Sequence, residues 1–203
     1  TDTTFRDGQQ SRSPYTVEQI SNLFEFLHKL DNGSGIIKQS EFFVYSKVDR
    51  EAIEKCMEKG YDFPQVTAWI RAKKEDFQLV KEIGIKETGI LVSCSDYHIF
   101  NKLKMNRTQA MEQYLGIVES ALEAGIVPRC HFEDITRADF YGFVLPFAYK
   151  LMELSRQAGM PVKIRACDTL GLGVPYPGVA LPRSVPGIIY GLRHYAGFPS
   201  ELI

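Results

Sequence analysis

The chain has 203 residues, 44% of them hydrophobic and 24% charged, which is the composition of an ordinary globular domain long enough to bury one sizeable core. Its 24 lysines and arginines nearly cancel its 25 aspartates and glutamates, so no global field selects nucleic acid or an anionic membrane, and a charged ligand must be held locally. The four cysteines, Cys56, Cys94, Cys130 and Cys167, form no C-x-x-C pair, which argues against a structural zinc site or redox motif and fits a reducing cytoplasm.

In chain order, short apolar stretches alternate with stretches of helical period. Residues 1–6 predict a strand, and residues 16–30 an amphipathic helix with Val17, Ile20, Leu23, Phe24 and Leu27 on one face and Thr16 as its cap. A strand at 36–45 and a helix at 49–59 follow, then a strand at 65–71, a helix at 75–83 and a strand at 89–93. The pattern continues with a helix at 107–124, a strand at 126–132, a helix at 138–158 and a strand at 162–167. Gly60, Gly84, Gly125 and Gly159 stand where helix-ending glycines belong, and Pro146 must kink or divide the fifth helix. The stretch 171–186 has four prolines and almost no charge, so it reads as a long stiff loop before a last helix at 187–196. No apolar run approaches the roughly 18 residues of a membrane span, and no basic-then-apolar leader opens the chain. A soluble, cytoplasmic protein is expected, with further sequence ahead of Thr1 because the chain starts inside a motif.

Such alternation is the signature of βα units on a parallel sheet. Six units are countable, whereas a closed eight-stranded barrel needs roughly 250 residues. The expectation is therefore an α/β chain that is one catalytic domain over residues 1–203, with either two strands missing or an open sheet.

In parallel βα folds the ligand site forms at the C-terminal ends of the strands, and these ends carry the polar residues. They are Arg6 and Asp7, Glu41, Arg71, then Ser95, Asp96 and His98, then Arg129, His131, Glu133 and Asp134, and finally Asp168 and Thr169. Strand ends also run into solvent, and Asp, Thr and Ser often only cap the next helix, as Thr136 and Asp139 could do. Arg6 beside Asp7 would by itself be equally well read as a local ion pair. Six strands that all end this way favour a site.

The opening Thr-Asp-Thr-Thr-Phe-Arg-Asp-Gly-Gln-Gln, Thr1 to Gln10, resembles the signature of the isopropylmalate, homocitrate and citramalate synthase family, within the DRE-TIM metallolyases. Ser95-Asp96-Tyr97-His98, His131-Phe132-Glu133-Asp134 and Asp168-Thr169-Leu170-Gly171 follow in the family's order. The resemblance implies a (β/α)8 TIM barrel, here truncated to about six βα units, and condensation of acetyl-CoA with a 2-oxoacid by a homodimer. It implies that Asp7 ligates a divalent metal (Mg, Mn or Zn), that Arg6 steadies a developing oxyanion, and that Glu41 holds Arg6. Thr169 matches the threonine that binds the oxoacid carboxylate, with Arg71 as a further substrate contact, and His98 and Glu133 match residues placed for proton transfer. The family's other metal ligands form a His-x-His on the seventh strand, which this sequence does not contain, and His28 and His194 lie on helical segments.

Within the superfamily, biotin-dependent carboxyltransferases place a lysine before the strand-six aspartate, where this chain has Cys167 before Asp168. The 3-hydroxy-3-methylglutaryl-CoA lyases are the second reading, because they usually lack the Asp-Thr-Thr opening. A non-catalytic degenerate barrel is the third. Alternation puts Arg129, His131 and Glu133 on one face. An inward arginine resembles the homocitrate synthases, where it reads the distal carboxylate of 2-oxoglutarate, although an internal partner such as Glu41 would serve it equally well. His131 stands where many synthases have serine.

Overall fold

The computed structural model describes all 203 residues. The fold is α/β, with five parallel strands whose order in the sheet is their order in the chain. They are β1 (Gln39–Phe42), β2 (Gln65–Ile70), β3 (Glu87–Ser93), β4 (Val127–Glu133) and β5 (Lys163–Ala166). Six α-helices run Val17–Asp31, Lys47–Glu58, Asp76–Ile83, Arg107–Glu123, Leu145–Ala158 and Val185–His194, numbered α1 to α6. The chain divides into two compact units, Thr1–Gly89 and Ile90–Ile203.

In the first unit β1 pairs with β2, Gln39 opposite Gln65 and Phe42 opposite Ala68. Phe42 stacks on Phe5 with ring centroids 4.8 Å apart and tilts against Phe24 of α1 at 6.2 Å, which defines the helix-facing side of β1. The strand expected at 1–6 contracts to a single bridge between Asp2 and Ser40. Its cause is local: Asp2 accepts bonds from the Thr4 amide at 3.3 Å and the Thr4 hydroxyl at 2.7 Å, and this turn competes with extension. The strand expected at 36–45 shortens likewise, because Asp31 captures the amides of Gly35 and Ile37 at 2.8 and 2.7 Å and holds them in a loop. Thr16 and Ser46 cap α1 and α2 with reciprocal capping boxes; the second helix starts at Lys47, two residues earlier than its period suggests. His28 is a packing residue, stacked on Tyr61 at 3.7 Å with its Nδ1 on the Phe63 carbonyl at 2.7 Å.

In the second unit β4 pairs with β5, Arg129 opposite Lys163 and Phe132 opposite Ala166. Phe132 stacks on Phe147 of α5 at 5.2 Å, so Cys130 and Phe132 face the helices and Arg129, His131 and Glu133 the other side. Pro146 divides the fifth helix as its position requires: a π-helical turn, Phe140–Val144, precedes α5, and the proline sits in the first turn of α5, where its missing N–H costs nothing. The proline-rich stretch is irregular up to Ser184 except for one bridge, Val174 to Ser184, and its last two residues, Val185 and Pro186, already belong to α6. No helix is long and apolar enough to cross a membrane.

Candidate active site

Each unit assembles one polar cluster at the ends of its strands. In the first, Arg6 lies in a turn created by the Asp2–Thr4 bonds and by the Arg6 and Gly8 amides, both of which donate to the Thr3 carbonyl at 3.1 Å. The Arg6 side chain is buried, with Nε on Glu41 Oε1 at 2.5 Å and Nη1 on Asp7 Oδ1 at 2.6 Å. Its guanidinium also lies over the Trp69 ring, 5.2 Å from the centroid. Glu41 has no exposed side-chain surface, whereas Asp7 is 52% exposed. One buried cation is thus fixed between a buried and a half-exposed carboxylate.

Arg71 lies outside this cluster. Its Nε and Nη2 each lie 3.1 Å from the carboxylate of Asp76 at the start of α3, and its guanidinium lies over the Tyr45 ring at 4.8 Å. The Tyr45 hydroxyl also donates to Asp76, at 2.9 Å. Asp76 and Tyr45 hold the guanidinium charged, with its pKa pushed above the ordinary arginine value.

The second cluster centres on Glu133. Its Oε2 accepts a very short hydrogen bond from the Ser93 hydroxyl, and Lys102 Nζ reaches Oε1 and Oε2 at 3.3 and 3.2 Å. His98 Nδ1 lies 3.4 Å from Glu133 Oε2 and 3.9 Å from Asp134 Oδ2, and it is buried without a hydrogen bond. Both His98 and Lys102 come from the π-helical turn Tyr97–Lys102, whose wider winding is a frequent feature of functional sites. Ser93 and Lys102 carry no motif signal in the sequence; only the four-residue spacing from His98 to Lys102 hints at a shared face.

Asp134 adopts a left-handed backbone conformation, φ 61°, which Asp tolerates better than most residues. Its amide donates to Thr169 Oγ1 at 2.8 Å, and Arg137 Nε donates to both its carboxylate oxygens at 2.9 Å. Burial alone would raise the Asp134 carboxyl, but the bonds from Arg137 and Ser95 and the Arg137 charge outweigh it and hold it below its usual value. The Thr169 hydroxyl spends its own proton on a long 3.4 Å contact with the Cys167 carbonyl, a bond that a better acceptor can replace. Asp168 fastens the proline-rich stretch, accepting from the Leu172 and Gly173 amides at 2.9 and 2.8 Å and from Thr136 at 2.8 Å. Thr136 therefore supports Asp168, and Asp139 caps its helical turn through the Gly142 amide at 2.8 Å. Arg129 and His131 are buried beside each other, Arg129 Nε 3.3 Å from His131 Nε2.

No group of three or more His, Cys, Asp or Glu side chains forms a metal cluster. Asp7 fits as a single hard ligand, since its carboxylate is half-exposed and Arg6 engages one of its oxygens.

Parallel strands in sequential order, with charged residues gathered at their C-terminal ends, define an α/β fold of the barrel enzymes. The HMGL-like family model matches residues 1–180, and the chain belongs to that family. It is 66% identical over 203 residues to the citrate (Re)-synthase of Clostridium kluyveri, covering 100% of this chain and 45% of that protein. With the citrate (Re)-synthase of Syntrophus aciditrophicus it shares 57% over 203 residues, covering 100% of this chain and 32% of that one. The chain thus spans a third to a half of the length of these relatives. Its fold is also that of the hydroxymethylglutaryl-CoA lyase from Pseudomonas aeruginosa, with a TM-score of 0.63 at 17% identity over 97% of this chain and 62% of that chain.

Proposed function

We propose that the protein condenses acetyl-CoA with a 2-oxo diacid through an acyl-CoA enolate, forming citrate and free CoA. The observation that carries this reading is the 66% identity to a citrate (Re)-synthase along the whole chain. Citrate less one acetyl unit is oxaloacetate, a 2-oxoacid with a second carboxylate. That second carboxylate needs a cation, and Arg129, buried on the same face of β4 as Glu133, has the chemistry to bind it.

In this reading Arg6, locked by Glu41, faces the oxygen on which negative charge develops, and its fixed position avoids reorganisation as the charge appears. The Thr169 hydroxyl binds the carboxylate next to the ketone, and His98 with Glu133 moves the proton from the thioester methyl group. His131 orients Arg129, and Arg71 acts at the rim, where its Asp76 pair keeps it charged. Asp7 supplies one ligand to a divalent ion, Mg, Mn or Zn, which when bound polarises the ketone. Water then hydrolyses the citryl thioester. A cytoplasmic homodimer is the form we infer.

Thiol release, followed with a disulfide reagent across pyruvate, 2-oxoisovalerate, oxaloacetate and 2-oxoglutarate, tests the proposal in the full-length protein. Oxaloacetate-dependent release with citrate as product is expected. No oxoacid-dependent thiol with any divalent metal would sink it, and cleavage of a hydroxyacyl-CoA would move the protein to the lyases.

A further inference from the structure

We propose that Lys102 and Ser93 are positioning residues that hold the Glu133 carboxylate against His98 Nδ1, fixing the imidazole with its proton on Nδ1 and its lone pair on Nε2. The inference rests on the condensing reaction proposed above and divides the proton-transfer work between two residues. The ring nitrogen Nδ1 is buried and has only carboxylate oxygens near it, Glu133 Oε2 at 3.4 Å and Asp134 Oδ2 at 3.9 Å. Ionised carboxylates accept and do not donate, so Nδ1 must carry the hydrogen. Its 3.4 Å contact is longer than a good hydrogen bond, and contacts of this kind commonly tighten when substrate binds.

Glu133 cannot turn away from the ring, because Ser93 bonds Oε2 and Lys102 spans both oxygens. Lys102 and His98 share one π-helical turn, so the turn that presents the imidazole also brings the cation that pins the imidazole's partner. The arrangement leaves Nε2 as the base. A thioester methyl C–H bond breaks, its proton goes to Nε2, and its electron pair becomes the enolate. Glu133 stabilises the imidazolium that results. After the enolate has attacked the ketone carbon, the Nε2 proton passes to the new alkoxide and the neutral ring is restored.

The test is made on full-length protein labelled with nitrogen-15 at histidine only, in magnesium at mildly alkaline pH, with His98 assigned by loss of its signal in His98→Gln. The wild-type ring is expected with hydrogen on Nδ1 and a bare Nε2, and Lys102→Met and Ser93→Ala are expected to give mixed tautomers. In turnover, Lys102→Met should lower kcat by about 10–100-fold with both KM values within about two-fold, and Lys102→Arg should recover most of it. A wild-type ring protonated on Nε2 overturns the assignment, and Lys102→Met with full kcat removes Lys102 from it. Tautomers are read without turnover, so an enzyme that releases no CoA thiol refutes the condensing reading separately.

Discussion

Arg6 Nε lies 2.5 Å from Oε1 of Glu41, a carboxylate with no exposed surface, at the head of the first unit's cluster. Removing one member of a buried pair leaves the other charge uncompensated and typically costs about 3–5 kcal/mol. Glu41→Ala is therefore expected to lower the unfolding free energy by about that amount, and Glu41→Gln, which still accepts from Nε, by less. Trp69 is the chain's one tryptophan and lies under Arg6, so its fluorescence in a urea titration reports the change locally. A loss below about 1 kcal/mol would mean that the second partner, Asp7, is enough to compensate the Arg6 charge. In turnover Glu41→Gln should lower kcat, because a loosened guanidinium no longer meets the developing oxyanion in a fixed place.

Asp7 gives a prediction separable from folding, since its side chain is 52% exposed. Asp7→Ala in the full-length protein should weaken binding of magnesium or manganese, because it removes an anionic oxygen of the kind a hard dication prefers. Calorimetric titration with each metal checks it. Unchanged affinity would make Asp7 only the structural partner of Arg6.

What the sequence made legible, and what it did not, follows from the range of each interaction. The capped helix at Val17–Asp31 and the division of the fifth helix at Pro146 are local, set by side chains a few residues apart, and both could be read from the chain. The lost strand at the N-terminus was also a local event, but its signal, Asp2 bonding Thr4, was hidden inside a motif with a functional reading. The polar strand ends named the candidate residues because parallel topology fixes where a site must lie. Pairing was harder. Arg71 and Asp76 are five residues apart, yet Tyr45, which completes their cluster, is 26 residues from Arg71. Ser93 and Lys102 meet Glu133 across 40 and 31 residues, and no periodicity connects them.

The acid limb of stability should carry the signature of Asp134. Its folded carboxyl is held below the ordinary value of 3.8, so the stability it contributes is present above that value and is lost as the pH falls through the folded one. Asp139 and Asp168 are lowered in the same direction, by backbone amides and by Arg107 or Thr136, so their contributions disappear in the same acid window. Arg137→Met leaves the burial of Asp134 less opposed and should move the acid unfolding midpoint to higher pH, with Arg137→Lys between it and wild type. Circular dichroism followed downward from neutral pH reads the midpoint. An unmoved midpoint in Arg137→Met would show that Ser95 and His98 suffice to hold the carboxylate.

Arg129 is the residue through which the site would select a diacid. The residue is 4% exposed and lies beside His131 on the face of β4 that also bears Glu133, while Phe132 turns to the helices. Nε approaches His131 Nε2 at 3.3 Å, so a neutral His131 accepts there and its ring helps to aim the fork. Truncating one side of a buried, charge-assisted contact costs on the order of 2–5 kcal/mol, and 2 kcal/mol is already roughly 30-fold in affinity. Arg129→Ala should thus raise the KM for oxaloacetate by at least about 30-fold, while any slow turnover of pyruvate stays near its wild-type value. Arg129→Lys keeps the charge but not the fork and should fall between them. Equal loss on diacid and monoacid alike would place Arg129 in an internal ion pair that supports β4, and a wild-type preference for a branched monoacid would remove the second carboxylate from the site altogether.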